Sequence, residues 1–407
     1  MNARIKERIE QINSGIVPEG YQKTAFGIFP CDWLKVSLGE VSSKKGEYGL
    51  NAPACEYAEG LPKYLRITDI DEQGCYIDNN AYVNDTDSNK YILGKGDIVF
   101  ARTGASVGKN YIYNEKDGIL VYAGFLIKFS IKPQYNAYLI CLNCRTKKYD
   151  NWVAKMCARS GQPGINAEEY ATYSCIIPKS TQEQARIAEI LMQWDKAIEL
   201  QGKLVEAYQK LKKYCLNKMF PKKGSNVPEI RFPGFTAPWE QRKLNELVDY
   251  VPSALSAKDV DPKGCYDLFD ANGIIGKTNK AVMQQEYITI IKDGAGVGRV
   301  RILPAQTTFI GTMGAMTKKH SDLRFVFALL SMTDLNKKYS GSTIPHIYFK
   351  DYGKELYCVP DMREQISIAN CFSAFDNIIT LHQKKREKLV AQRKILQQYL
   401  LTGIVRV

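Results

Sequence analysis

Arg102-Thr-Gly-Ala-Ser-Val-Gly-Lys109 returns 190 positions later as Lys292-Asp-Gly-Ala-Gly-Val-Gly-Arg299. Other blocks repeat around it in the same order. Glu183-Gln184-Ala-Arg-Ile-Ala188 returns 181 positions on as Glu364-Gln365-Ile-Ser-Ile-Ala369, and Asp195 and Ile198 map onto Asp376 and Ile379 at the same offset. Ile177-Pro178 matches Val359-Pro360, and Trp33 with Leu38 matches Trp239 with Leu244. Even the lead-ins correspond, Val17-Pro18-Glu19 with Val227-Pro228-Glu229. The period is about 200 residues, far above the 20–50 of a solenoid. The 407-residue chain is therefore one unit used twice, with a pseudo-twofold arrangement expected.

Each copy reads as short strands and loops followed by a long helix, an α+β fold. In the first helix Ile187, Leu191, Trp194, Ile198, Val205, Tyr208, Cys215 and Met219 alternate 4 and 3 apart, with Gln201 and Lys212 at the two remaining positions. In the second, Ile368, Phe372, Phe375, Ile379, Leu389, Leu396 and Leu400 do the same, interrupted by His382, Arg386 and Arg393. These are heptad seams, and their matching phase predicts that the two helices pair with each other. Polar seam residues at matching places (Gln201 and His382, Lys212 and Arg393) suit the fixing of register. Ser180…Glu183 and Asp361…Glu364 resemble capping boxes at the helix starts; Pro221 and Gly403 are the expected stops. The chain divides into an arm with a short helix (1–29), a first mixed globular segment (30–178), a long helix (179–223), a second globular segment opening on a Pro- and Gly-rich linker (224–360), and a second long helix (361–407).

Composition narrows the function. Hydrophobic residues make up 45% and charged residues 24%, which excludes a disordered chain. No apolar run approaches the ~20 residues of a membrane span. The start, MNARIKERIEQI, lacks the apolar core of a signal peptide, and with it the 11 cysteines read as reduced thiols of a cytoplasmic protein. The net charge of +13 favours a polyanionic partner. Residues 179–223 and 361–407 carry +5 and +4 of it, whereas residues 30–178 are neutral and residues 224–360 carry +3. Bulk charge therefore does not locate a reading surface.

Catalytic patterns are missing. There is no Gly-x-Ser-x-Gly, no His-Glu-x-x-His and no Asn-Pro-Pro-aromatic run, and none of the three histidines repeats between copies. Ala271–Thr278 loosely fits a phosphate loop, but the residues after it lead to a strand where such a loop needs a helix. The one CxxC, Cys141 to Cys144, lacks the second pair that a zinc site needs and reads as buried thiols; no metal is expected. The duplicated features are loops and helices, which argues for binding. Arg102 and Lys109, and Lys292 and Arg299, bracket loops whose small residues let backbone approach phosphate. Thr103, Ser106 and Asp293 can bond phosphate or base edges. Each copy has a second loop further along: Gln162 and Asn166 suit adenine, while Ser342, Thr343 and His346 are less specific readers. Two alternatives stay open, a self-contained DNA-modifying enzyme and a coiled-coil interaction protein without DNA readout.

The lead-ins Val17-Pro-Glu-Gly-Tyr21 and Arg231-Phe-Pro-Gly-Phe235…Pro238-Trp239, together with Ala101-Arg-Thr-Gly104 and the Pro…Glu-Gln…Ile…Asp…Ile blocks at 178–198 and 360–379, resemble the specificity subunits of type I restriction-modification systems. The resemblance covers nearly the whole chain. It implies two target-recognition domains that each read half of a split, asymmetric site in double-stranded DNA. It also implies two long helices paired antiparallel as a coiled-coil ruler. Two modification subunits would dock on the helical region and carry the S-adenosylmethionine site; a motor-nuclease subunit can join. The chain itself would hold no cofactor and no catalytic residue. Gly-x-Gly-x-Gly and Lys292-Asp293 depart from the family's usual Gly-x-x-x-Gly and Arg-Thr, which leaves the contact of that loop open.

Overall fold

The computed structural model describes residues 3–158, 164–222, 224–294, 296–335 and 345–407. It divides into two compact units, residues 1–198 with 388–407, and residues 199–387. The division cuts through both long helices, so each unit joins one reader to the helical segments packed on it.

The first unit is built on a four-stranded antiparallel sheet in the order Glu47–Tyr48, Leu126–Ser130, Asp97–Ala101, Asn110–Ile112. Ile98, Val99 and Phe100 are fully buried, which explains their unbroken apolar run. Lys63–Leu65 and Leu120–Tyr122 pair in parallel as a smaller sheet. Trp33–Ser37 pairs with Ser174–Pro178, bringing the two ends of the reader together.

The second unit repeats this plan. Its sheet runs Val248–Pro252, Met313–Lys318, Tyr287–Ile291, Val300–Leu303. Its parallel pair is Tyr266–Phe269 with Thr307–Phe309, and its closing pair is Glu240–Lys243 with Leu356–Val359. Ile274–Thr278 adds an antiparallel strand. That strand holds the end of the loose phosphate-loop pattern, which therefore runs through a hairpin.

The first long helix spans Thr181–Met219 and the second Met362–Leu401. In the first unit Ile187 and Leu191 share a core with Leu400, Leu401, Trp33 and Phe100. In the second, Met219 and Phe372 share one with Trp239, Leu244 and Phe325. The helices are antiparallel within each unit. Glu183 meets Arg406 and Asp195 meets Arg393 in the first; Gln201 meets His382 and Lys212 meets Asp376 in the second. The seam is thus polar at repeat-related points. Lys212–Asp376 and Arg393–Asp195 are the same ion pair made twice. Gln201 donates to the His382 ring and to its carbonyl oxygen, and the ring stacks on Tyr208 with centroids 5.5 Å apart.

The helix starts are tied down in duplicate. Gln184 Oε1 accepts from the Asn136 backbone at 2.9 Å while its Nε2 donates to Pro178 O at 2.8 Å. Gln365 accepts from the Asp322 backbone and donates to Pro360 O, both at 2.9 Å. Asn136 and Asp322 are the N-caps of Ala137–Asn143 and Leu323–Met332, so each glutamine holds a reader helix against a spacer helix. The expected capping boxes form by half. Ser180 and Asp361 accept from the backbones of Glu183 and Glu364, but the glutamates turn to arginines instead of back to the cap. An ion pair to a buried carboxylate outweighs a hydrogen bond to a backbone N–H.

Candidate nucleic-acid interface

The strand Asp97–Ala101 delivers the chain into the first repeated loop and Tyr287–Ile291 into the second. The two loops share one backbone hydrogen-bond skeleton. Ala101 N donates to Lys109 O, Gly108 N to Ala101 O, Val107 N to Gly104 O and Lys109 N to Ser106 O; Ile291, Gly298, Val297 and Arg299 make the equivalent bonds to Arg299, Ile291, Gly294 and Gly296. Gly104 and Gly108 adopt φ of +71° and +89°, Gly294 and Gly298 +86° and +82°. Left-handed backbone at these places demands glycine. The Gly-x-Gly-x-Gly departure keeps the four hydrogen bonds, with Gly296 O accepting where Ser106 O does, but it changes the backbone at that point: Gly296 has φ of +87°, whereas Ser106 lies in a 3-10 turn.

The second loop of each copy lies against the first. Thr103 bridges Gly164, and Asp293 bridges His346. Ile165 N donates to Arg102 O at 2.9 Å and Ile347 N to Lys292 O at 3.0 Å. Candidates distant in sequence are thus brought to one place in each reader. Gln162, Ser342 and Thr343 lie outside the described residues.

The side chains differ where the frame does not. The Arg102 guanidinium sits 5.1 Å from the Tyr48 ring centroid and 5.9 Å from that of Phe125. Both rings are substantially exposed. Its Nε is buried with no partner among the described residues. Stacking on two rings restricts where the fork can point, a useful property for grasping an acceptor. Thr103 and Ser106 are half-exposed beside it. Lys109 Nζ is held by Glu72 at 2.6 Å. In the other reader Asp293 lies between two donors: His346 Nδ1 donates to its Oδ1 at 2.7 Å, and Lys292 Nζ stands 3.8 Å from its Oδ2. Arg299 is exposed but donates to Ala271 O. Asn166 is the N-cap of Ala167–Thr172; its side-chain oxygen accepts from Glu169 N at 2.9 Å. That oxygen already serves the fold, so a bidentate contact to adenine would have to share it through its second lone pair.

Sequence reasoning missed Tyr48, Phe125 and Glu72, since nothing in their spacing ties them to Arg102 or Lys109. Cys141 and Cys144 are fully buried; burial pushes both thiols up, and Cys141 Sγ donates to Asn110 Oδ1 at 3.2 Å. They are core residues. Among the described residues no helix is long and apolar enough to cross a membrane.

A family model described as the type I restriction modification DNA specificity domain matches residues 30–207 and again 237–391. The chain belongs to this specificity family. The two matches coincide with the two copies. The type I restriction enzyme MjaX specificity subunit of Methanocaldococcus jannaschii is 28% identical, over 96% of this chain and 97% of its own. The MjaVIII specificity subunit of the same organism is 23% identical, over 93% and 94%. The crystal structure of the type I restriction-modification S subunit from M. genitalium superposes with a TM-score of 0.62 at 14% identity, covering 90% of this chain and 96% of that one. A chain from a study of type I complex assembly and conformational transition gives 0.54, also at 14% identity, over 93% and 99%. These likenesses carry the α+β fold of the family.

Proposed function

We propose that this specificity-family chain is the DNA-recognition subunit of a type I restriction-modification complex, and that each reader takes one half of a split, asymmetric site. The observation that carries this reading is the duplicated loop pair: one backbone skeleton used twice, with different side chains mounted on it. Two readers of different sequence need a common scaffold and divergent contacts. Arg102 presents a fork suited to guanine O6 and N7 or to a phosphate, whereas Asp293 can accept from cytosine N4 with His346 beside it. Phosphate contacts from the flanking basic residues would fix register without reading sequence.

The chain acts by binding. Methyl transfer belongs to a partner modification subunit that carries S-adenosylmethionine, and cleavage, where it occurs, to a motor-nuclease subunit. Two modification subunits per chain fit the duplicated helices. Leu200, Leu204, Leu211 and Tyr214 form an exposed stripe on the first helix, and Leu381 and Ile395, the repeat equivalents of Leu200 and Tyr214, are exposed on the second. Two related apolar faces suit two copies of one partner.

Mapping of methylated adenines in cells carrying this chain with its modification subunit tests the proposal. A two-part motif with an unread spacer is the expected result. A continuous motif, or methyl transfer to DNA by the purified chain alone, overturns it.

A further inference from the structure

The two readers differ at one place where the repeat would make them alike. Tyr138 and Arg324 stand two residues after the equivalent N-caps Asn136 and Asp322. In the first reader the Tyr138 hydroxyl donates to Asp195, which also receives Arg393 through Nε at 2.8 Å and Nη2 at 3.1 Å. Burial, then the bond to Asp195, holds the phenol well above its usual range, so it stays a neutral donor.

In the second reader Arg324 does not bond Asp376; its Nη1 reaches only Ser373 Oγ, at 3.5 Å. Glu286 holds it at the rim through paired contacts of 3.0 and 2.9 Å. The ion pair below is still present: Lys212 Nζ lies 2.5 Å from Asp376 Oδ1. Asp376 Oδ2, however, has no hydrogen-bond partner among the described residues. A cavity of about 170 Å³, partly open to solvent, lies here; Phe327, Ala328 and Phe372 line one part of it, and Lys212, Asp376, Asn377 and the Arg324–Glu286 pair line the rest. An apolar cavity of roughly 150 Å³ is large enough for a benzene ring. An apolar side and an accepting carboxylate oxygen are what Tyr138 finds in the first reader, where Asp195 Oδ2 also accepts from Arg393; Asp376 Oδ2 has no such partner among the described residues, and its side chain is half-exposed.

We propose that this cavity is a binding site for an aromatic alcohol, whose ring fills the apolar space and whose hydroxyl donates to Asp376. The phenol of a tyrosyl side chain and a small free phenol share this chemistry. The site does not depend on DNA reading, so its test is independent of the function proposed above.

The full chain is titrated with p-cresol, toluene and N-acetyl-tyrosinamide, with calorimetry and ligand-observed NMR as readouts. Saturable p-cresol binding at least about tenfold tighter than toluene is expected, a difference of about 1.4 kcal/mol. N-acetyl-tyrosinamide binding at the same site identifies a ring carried on a peptide; its failure beside p-cresol binding identifies a free phenol, and either supports the site. Arg324→Tyr fills the cavity from within, as in the first reader, and Ser331→Trp covers it from an exposed edge. Each should weaken p-cresol at least tenfold, with the second variant keeping the test open if the first fails to fold. Equal affinity for p-cresol and toluene, p-cresol binding unchanged in the folded variants, or no saturable binding overturns the proposal.

Discussion

Arg406 grips Glu183 at two points, Nε to Oε1 at 2.5 Å and Nη2 to Oε2 at 2.8 Å. Arg231 makes the same contact with Glu364, both distances 2.7 Å. Each arginine lies in the segment just after one long helix and closes on the first turn of the other.

Removing either arginine leaves a buried carboxylate without its countercharge. Glu364 is 1% exposed and Arg231 13%, whereas Arg406 is 37% exposed. Arg231→Ala should cost about 3–5 kcal/mol, the usual penalty for breaking a buried pair from one side. Arg406→Ala should cost less. Urea denaturation of the two variants checks the order; equal losses would mean that exposure of the arginine does not set the penalty.

The loop glycines should separate by space as well as by conformation. Gly294→Ala meets open space and pays only the left-handed strain of about 1–2 kcal/mol. Gly108→Ala brings a Cβ to 3.0 Å from Val153 besides, so it should destabilise more. Both should lower DNA affinity by misplacing the loop, which gel shift of the assembled complex would detect.

Burial lowers the Lys148 ammonium to about 8. Its Nζ lies 3.4 Å from the Phe26 ring centroid and donates to Ser174 O at 3.0 Å. The folded state therefore binds fewer protons than the unfolded state between about pH 8 and 10.5, so this group makes stability rise with pH across that window. Lys148→Met should flatten that rise. Thermal melts of both proteins from pH 7 to 10.5 provide the measurement, and parallel profiles would contradict it.

Readout should be separable by reader. Exchanging residues 30–178 for another reader should alter one half of the methylated motif and leave the other. Asp293→Asn should change base preference only in the half read by residues 224–360. Arg102→Ala should weaken binding across sequences and lower the salt slope by about one. Methylation mapping and salt titrations distinguish these outcomes, and a change in both halves from a single exchange would refute modular reading.

What the sequence disclosed was whatever repeats or has a period. The heptads placed Gln201 and His382 at matching seam positions, where the structure brings them into contact, and the glycine loops predicted a common frame. Long-range chemistry was hidden. Asn166 looked like a base reader, yet local backbone geometry turns its oxygen into a helix cap. Glu183 and Glu364 were visible as repeated residues, but their arginines lie 223 and 133 positions away. The aromatic pair around Arg102 depends on how strands and turns come together, and no spacing rule encodes that.

The first unit contains residues 1–198 but is complete only with residues 388–407. Arg8 donates to Ile404 O at 2.9 Å and Tyr21 to Gly403 O at 2.6 Å, so the arm too is stitched to those residues. During synthesis, therefore, the reader made first must wait. The second unit, a contiguous stretch from 199 to 387, can close while the first still lacks Leu400, Leu401 and Arg406. The reader made first is thus the last to be completed, and until residues 388–407 emerge the part of its core that Leu400 and Leu401 cover lies open to whatever holds nascent chains.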